Sequence, residues 1–302
     1  MTTDSLSGAP EGGPGNAALR WAADVLGCAD VAVVCGLREG GAPWLLQAGD
    51  RTAILKAGTP DQAAQFATEA AALRLVAAAG LPVPALLGCD DGTRMLLERL
   101  PGTSHIPREP DGTRLRGLGA AAARIHAVSS EPTDAPPVRD RPIADVDFAG
   151  IRREHGASRL LLDAEEVVAC ARPADERAGF VHGDLWHGNT IWDGGVLSGI
   201  LDWDCGGVGA AGVDLGSLRC DAAVCFGVKA ADLVLAGWEE EAGYPAGNVG
   251  YWDAVAALST PPDMAWVTAA IADQGRPDLN DRALLNARRD AFLSQALTSL
   301  GC

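Results

Sequence analysis

Lysine is almost missing from this chain of 302 residues, with Lys56 and Lys229 alone among 24 basic side chains. Basic charge of any kind is scarce, because 40 Asp and Glu leave a formal net charge of -16. That balance excludes a nucleic-acid partner, whose phosphate backbone calls for basic patches. The deficit is uneven: residues 1–100 carry 11 acidic and 7 basic side chains, hence -4, and residues 101–302 carry 29 and 17, hence -12. An acidic surface serves solubility first, and it would also draw a cationic substrate toward the later part of the chain. No run of about 18 apolar residues is present, so no membrane helix is expected. Residues 1–15 lack the basic start and apolar centre of a signal peptide; they read as a flexible tail on a cytoplasmic protein, monomeric or homodimeric. Paired C-x-x-C motifs are absent too, and eight cysteines scattered among mostly apolar neighbours predict free thiols rather than a disulfide framework or a zinc site.

What remains is an ordinary globular composition, 48% hydrophobic and 21% charged, in a chain long enough for two lobes, since single cores stop growing near about 250–300 residues. The order of elements predicts an α+β fold. Asn16 to Leu26 has helical spacing with Gly27 as its stop. Two apolar stretches, 30–37 and 44–48, flank a glycine-rich tip at Gly40 and Gly41. Backbone N–H groups there can approach a phosphate, although Pro43 removes one donor from the tip and any hairpin can end in Gly-Gly. A third strand, 52–57, carries Lys56 near its end. Thr59-Pro60-Asp61 then opens a long helix containing Glu69, and strands 85–89 and 93–98 complete five. Residues 99–102 are rigid and turn-like, where the backbone of Glu98 and Leu100 is a candidate to bind adenine. Residues 16–98 are thus expected as one lobe, 99–102 as a hinge, and 103–302 as a mainly helical second lobe.

In a chain that uses arginine almost everywhere, an ammonium at the end of an apolar strand suggests a need for a compact point charge. An exposed strand end is the ordinary alternative. Glu69, thirteen residues on, could answer the charge, as in the Lys–Glu pair that holds a nucleotide's phosphates in kinases.

The most informative stretch is Phe180-Val181-His182-Gly183-Asp184-Leu185-Trp186-His187-Gly188-Asn189-Thr190-Ile191-Trp192, followed by Gly199-Ile200-Leu201-Asp202-Trp203-Asp204. Asp184, Asn189 and Asp202 are short oxygen-bearing side chains between segments that read as strand, loop, strand, turn, strand. Hard cations take oxygen ligands, and phosphoryl transfer asks mainly for positioning, charge neutralisation and one carboxylate near the attacking hydroxyl. A competing reading makes His182, Asp184 and His187 the ligands of a hydrolytic metal, which would leave Asn189 and Lys56 without a role. Asp204 is a candidate for an extra acidic group at the metal or a cap on the turn 206–209. Asp214 reads as opening a helix from its N-terminal end, and His126 as a helix-end capping or core group.

His182-Gly183-Asp184 with Asn189, then Leu201-Asp202-Trp203, resembles the signature of the aminoglycoside phosphotransferase family, relatives of the protein kinases. The order Lys56, Glu69, 80–84, 96–102, 118–126 and 212–215 extends the resemblance over nearly the whole chain. It implies a bilobal kinase-like fold with an ATP or GTP cleft between lobes, Asp184 aiming the acceptor hydroxyl, and Asn189 and Asp202 holding Mg²⁺. His182 is expected to brace the loop. His187 departs from the pattern, standing where a small residue or proline is expected.

The implied reaction moves a γ-phosphate to a hydroxyl of a small molecule, with an aminoglycoside-like or other cationic sugar first among acceptors. Fructosamine, choline, homoserine and peptide-antibiotic kinases share the fold, and a nucleotide-binding pseudoenzyme is the alternative of another class. Candidate substrate residues are Trp186, His187, Asp204, Glu240 and Asp263, with Trp238, Trp252, Asp253 and Trp266 nearby in sequence as further aromatic and acidic groups. Each such side chain is more often a surface or core residue.

Overall fold

The computed structural model describes residues 13–38, 42–90, 92–129, 136–174 and 176–301, so the expected phosphate contacts at Gly40 and Gly41 lie outside the described residues. It divides into two units, Met1–Pro101 with Ser198–Asp204, and Gly102–Leu197 with Cys205–Cys302. The segment carrying Asp202 and Asp204 therefore groups with the first unit, where sequence order alone had put it in the second.

In the first unit, period-two patterning decides which side chains reach the core. Strands β1 (Ala32–Gly36), β2 (Trp44–Ala48), β3 (Arg51–Ala57), β4 (Leu86–Cys89) and β5 (Arg94–Glu98) form one antiparallel sheet in the order β1-β2-β3-β5-β4. Helix α1 (Asn16–Leu26) places Ala18 and Ala22 in a core with Trp44, Leu46, Ala53, Leu55 and Leu96. Lys56 follows Leu55, so its side chain leaves from the opposite face of the sheet. It is in register with Met95 there. Helix α2 (Ala63–Ala78) follows a short 3-10 turn, Pro60–Gln62, whose capping box has the Thr59 N–H donating to Gln62 Oε1 at 3.0 Å. Its buried residues are Glu69, Ala70, Ala72, Leu73 and Val76, a stripe of helical period with one carboxylate in it.

The second unit is built around α6 (Gly212–Phe226), which is buried over most of its length. Helices α3 (Gly112–His126), α4 (Phe148–His155), α5 (Arg159–Cys170), α7 (Lys229–Ala242), α8 (Val249–Leu258), α9 (Ala265–Asp273) and α10 (Arg282–Ser299) make up the rest of the helical part. α3 and α7 touch through glycines: a Cβ at Gly119 would strike Val234 O, and one at Gly237 would strike Arg116 O. A small sheet was not expected. Residues 206–209 read as a glycine-rich turn, but Gly207–Ala210 forms the middle strand of a sheet with Val138–Arg139 (β6) and Ala178–Val181 (β7). Strand β10, as Gly207–Ala210 is labelled, has glycines because neighbouring backbone leaves no room: a Cβ at Gly207 would meet Pro137 O, and one at Gly209 would meet Arg139 O. Strands β8 (Thr190–Asp193) and β9 (Val196–Ile200) pair as a two-stranded hairpin.

The seven described cysteines are free thiols, and no helix among the described residues is long and apolar enough to cross a membrane.

Candidate active site

Two sets of polar side chains stand out, one in each unit. In the first, Lys56 Nζ lies 2.6 Å from Glu69 Oε2 and 2.7 Å from Asp202 Oδ1, and Arg38 Nη2 lies 3.5 Å from Asp202 Oδ2. The spacing that suggested a Lys–Glu pair is thus realised, and a second carboxylate joins it. Burial opposes the charge on Lys56, but Asp202, Glu69 and Asp204 more than offset this and hold the ammonium above the ordinary lysine range. Burial also pushes Glu69 up, to about 7, against the pull of Lys56. Asp202 has a positive φ of 65°, which aspartate tolerates better than most residues and which recurs at functional sites. The Asp204 charge adds to the field that favours the Lys56 ammonium. At the end of β5 the Glu98 N–H donates to Ala85 O at 2.9 Å, and Leu100 is partly buried.

In the second unit the loop after β7 is held by α6. Asp214 is fully buried, and its two carboxylate oxygens accept the His182 and Gly183 N–H groups, each at 2.8 Å. His126 Nε2 adds a third bond to it at 3.1 Å. Since Trp238 Nε1 can only donate, and it does so to His126 Nδ1 at 3.0 Å, the His126 proton sits on Nε2 and points at Asp214. Burial raises the Asp214 carboxyl, while His126 and the other donors more than compensate and leave it below the ordinary range. Asp214 and His126 are therefore structural, as read from sequence, but their partners were not legible there. Gly183 has φ 83°, and a Cβ on it would strike Cys205 O, so this loop position requires glycine.

The same loop positions Asp184. Its N–H donates to His182 Nδ1 at 3.3 Å, the bracing expected of His182. Asn189 Nδ2 donates to Asp184 O at 2.9 Å and to Asp184 Oδ2 at 3.2 Å. Asn189 is buried, and its Oδ1 has no hydrogen-bond partner. A buried carbonyl oxygen without a partner is costly and is the type of donor a hard cation takes. His187 sits on the one-turn helix His187–Asn189; its N–H and Nδ1 both bond Asp221 Oδ2, the former at 2.9 Å. His182 braces Asp184 and His187 binds Asp221, and among the described residues no three His, Cys, Asp or Glu side chains are grouped so as to hold a metal, which speaks against the competing His–Asp–His reading.

Other sequence candidates have different work. Trp186 is half-buried against the helical core and covers Gly188, whose Cβ would run into the indole. Glu240 is exposed on α7, 3.6 Å from Arg116 Nη1. Asp263 caps α9 through the Ala265 N–H at 3.0 Å and meets Arg282 at 3.2 Å on the surface. Both are exposed acidic groups engaged in surface ion pairs. Trp238 and Trp252 are core residues, Asp253 is paired with Arg219 at 2.8 Å, and Trp266 packs against Phe148. Arg289 ties down the turn before α9, donating to Pro261 O at 3.1 Å and to Pro262 O at 3.3 Å. Asp221 was missed. Its signal was the seven-residue spacing from Asp214, which puts both on one helix face.

A strand-borne lysine paired with a helix glutamate, and an aspartate braced by an asparagine five residues on, define a kinase-like phosphotransferase. Residues 34–258 match the model of the phosphotransferase enzyme family, and the chain belongs to that family. Among curated proteins it is similar to a homoserine kinase of Bradyrhizobium sp. (strain BTAi1 / ATCC BAA-1182), 30% identical over 106 residues; the match spans 32% of this chain and 32% of that protein. Among solved structures it resembles a thermostable mutant of aminoglycoside phosphotransferase APH(4)-Ia in a ternary complex with AMP-PNP and hygromycin B, with TM-score 0.59, 16% identity and coverage of 93% of this chain and 98% of that one. It also resembles an amicoumacin kinase in complex with AMP-PNP, Ca²⁺ and Ami, with TM-score 0.57, 15% identity and 88% of each chain covered. The protein-kinase-like fold expected from the sequence is the fold observed.

Proposed function

We propose that the chain is a small-molecule kinase that transfers the γ-phosphate of ATP or GTP to an alcohol. The observation that carries this reading is the pairing of Asp184 with Asn189 on a loop anchored to α6. Asp184 would accept a hydrogen bond from the acceptor hydroxyl and orient it for in-line attack. Lys56, kept in place by Glu69, would hold the α- and β-phosphates, with Glu98 and Leu100 offering backbone groups to the base. By resemblance to the family, Asn189, whose buried Oδ1 lacks a partner, and Asp202 would be the oxygen donors for Mg²⁺, which when bound would neutralise charge on the phosphates. Two complexes of the same fold, with AMP-PNP and in one case Ca²⁺, support nucleotide and divalent-ion use.

For the acceptor, a cationic sugar or antibiotic is the leading class, supported by the acidic balance of residues 101–302. The homoserine kinase match favours a second reading, an amino-acid alcohol, which carries an ammonium group as well. Thermal stabilisation by Mg²⁺–ATP and slow ATP turnover abolished by Asp184→Ala are the expected results. Turnover unaffected by that substitution would remove the role given to Asp184. An ADP-release screen over aminoglycosides, peptide antibiotics, ketosamines, choline and homoserine would then assign the acceptor, and silence toward every cationic compound would end the charge argument.

A further inference from the structure

We propose that Asp221 is a positioning residue for phosphoryl transfer, acting through His187 to fix the turn between Asp184 and Asn189; this rests on the kinase reading above. Asp214 and Asp221 lie two helical turns apart, on one face of α6 and separated by roughly 10 Å along its axis. The first holds the N–H groups of His182 and Gly183, and the second holds the N–H and imidazole of His187. One rigid buried helix therefore grips both ends of the segment that presents Asp184.

The second grip is as well built as the first. The His187 side chain is 1% exposed, and its ring meets the edge of Phe226 with centroids 5.7 Å apart. With an Asp oxygen as partner, Nδ1 must donate, which fixes both tautomer and ring orientation. Asp221 Oδ1 accepts the Cys225 thiol at 3.6 Å, and the Arg114 guanidinium is near enough to feel the Asp221 charge. The His187 carbonyl takes the Thr190 hydroxyl at 2.7 Å, and the Asn189 N–H donates to Trp186 O at 3.1 Å. Rotation of this turn would carry the Asn189 amide away from Asp184 and redirect Oδ1. Misplacement of reacting groups by about 1 Å costs on the order of 100-fold in rate.

The test uses the full chain, Mg²⁺–ATP turnover, and hydrogen exchange of the loop amides. Asp221→Ala is expected to lower kcat by about 10–100-fold with KM for ATP little changed, and to release the His187 amide to exchange while His182 and Gly183 stay protected. His187→Ala should behave in the same way. His187→Asn should recover most of kcat, because its Nδ2–H can occupy the place of the imidazole Nδ1–H. Unchanged kcat in Asp221→Ala, or equal loss in His187→Asn and His187→Ala, would overturn the proposal. If Asp221→Ala fails to fold, the two His187 variants decide the matter alone. A wild-type chain without nucleotide binding or turnover would defeat the kinase reading and this inference with it, whereas an active wild type with equally active variants would defeat this inference only.

Discussion

The two sets of polar side chains, one in each unit, are held by different forces. Around Lys56 the order is electrostatic: one ammonium meets Glu69 and Asp202, with Asp204 and Arg38 adding to the field. Around Asp184 it comes from directed hydrogen bonds to buried acceptors, Asp214 above all. A charge cluster can exchange partners when a nucleotide or cation arrives, since its attractions depend weakly on angle. A loop pinned by N–H donors to a buried carboxylate keeps its geometry until that carboxylate is removed. The first arrangement suits a group that must grasp and release, and the second suits a group that must aim.

The largest effect should follow from removing the buried anchor. Asp214→Ala leaves two loop N–H groups and His126 without their acceptor, and breaking such a buried network costs about 3–5 kcal/mol, readable in urea unfolding. A loss under about 1 kcal/mol would mean that the loop is not held as described. The acid limb tests the same point. The folded-state value of Asp214 lies below its unfolded value, so its stabilisation is present above the ordinary Asp range near about 4 and is lost as pH falls through the lower folded value. Asp214→Asn should flatten the stability profile in that window and leave it unchanged near neutrality in slope.

Removing the charge in the other set should separate stability from catalysis. Lys56→Met leaves Glu69 buried without its cation, so stability should fall, and Glu69→Gln in the same chain should restore much of it. The kcat/KM for ATP should drop by about 10–100-fold, equivalent to about 1.4–2.7 kcal/mol, and should not recover in the double variant. Recovery of both together would show that Lys56 serves only the fold.

The same contrast explains what could be read from the sequence. Lys56, Glu69 and the loop residues were legible because their residue types, order and spacing resemble a family signature whose chemistry is specific to few types. The mainly helical character of the second unit was legible in outline, but the bounds of α4 and α5 were not. Strand β10 was not, because Gly-Val-Gly-Ala carries turn signals and its glycines are required by a neighbouring backbone far away in sequence. Asp221 was missed for a related reason: its seven-residue spacing from Asp214 puts both on one helix face, but an aspartate on a helix looks solvated until the loop packed against it is known. Glu240 and Asp263 pose the opposite problem, since an exposed acidic residue reads alike as a substrate contact and as half of a surface ion pair.

Glu240 offers the smallest effect and the sharpest check on the acidic-surface argument. Its side chain is 77% exposed and faces Arg116 at 3.6 Å, a geometry that contributes about 0–1 kcal/mol. Glu240→Ala should therefore leave unfolding stability within about 0.5 kcal/mol of the parent. If the charge of residues 101–302 acts only as a diffuse field, the loss of one exposed carboxylate should change kcat/KM for a cationic acceptor less than about twofold, with salt weakening both proteins alike. A much larger change, confined to KM for the acceptor, would place Glu240 in the substrate site and show that the second unit grips by local charge as the first one does.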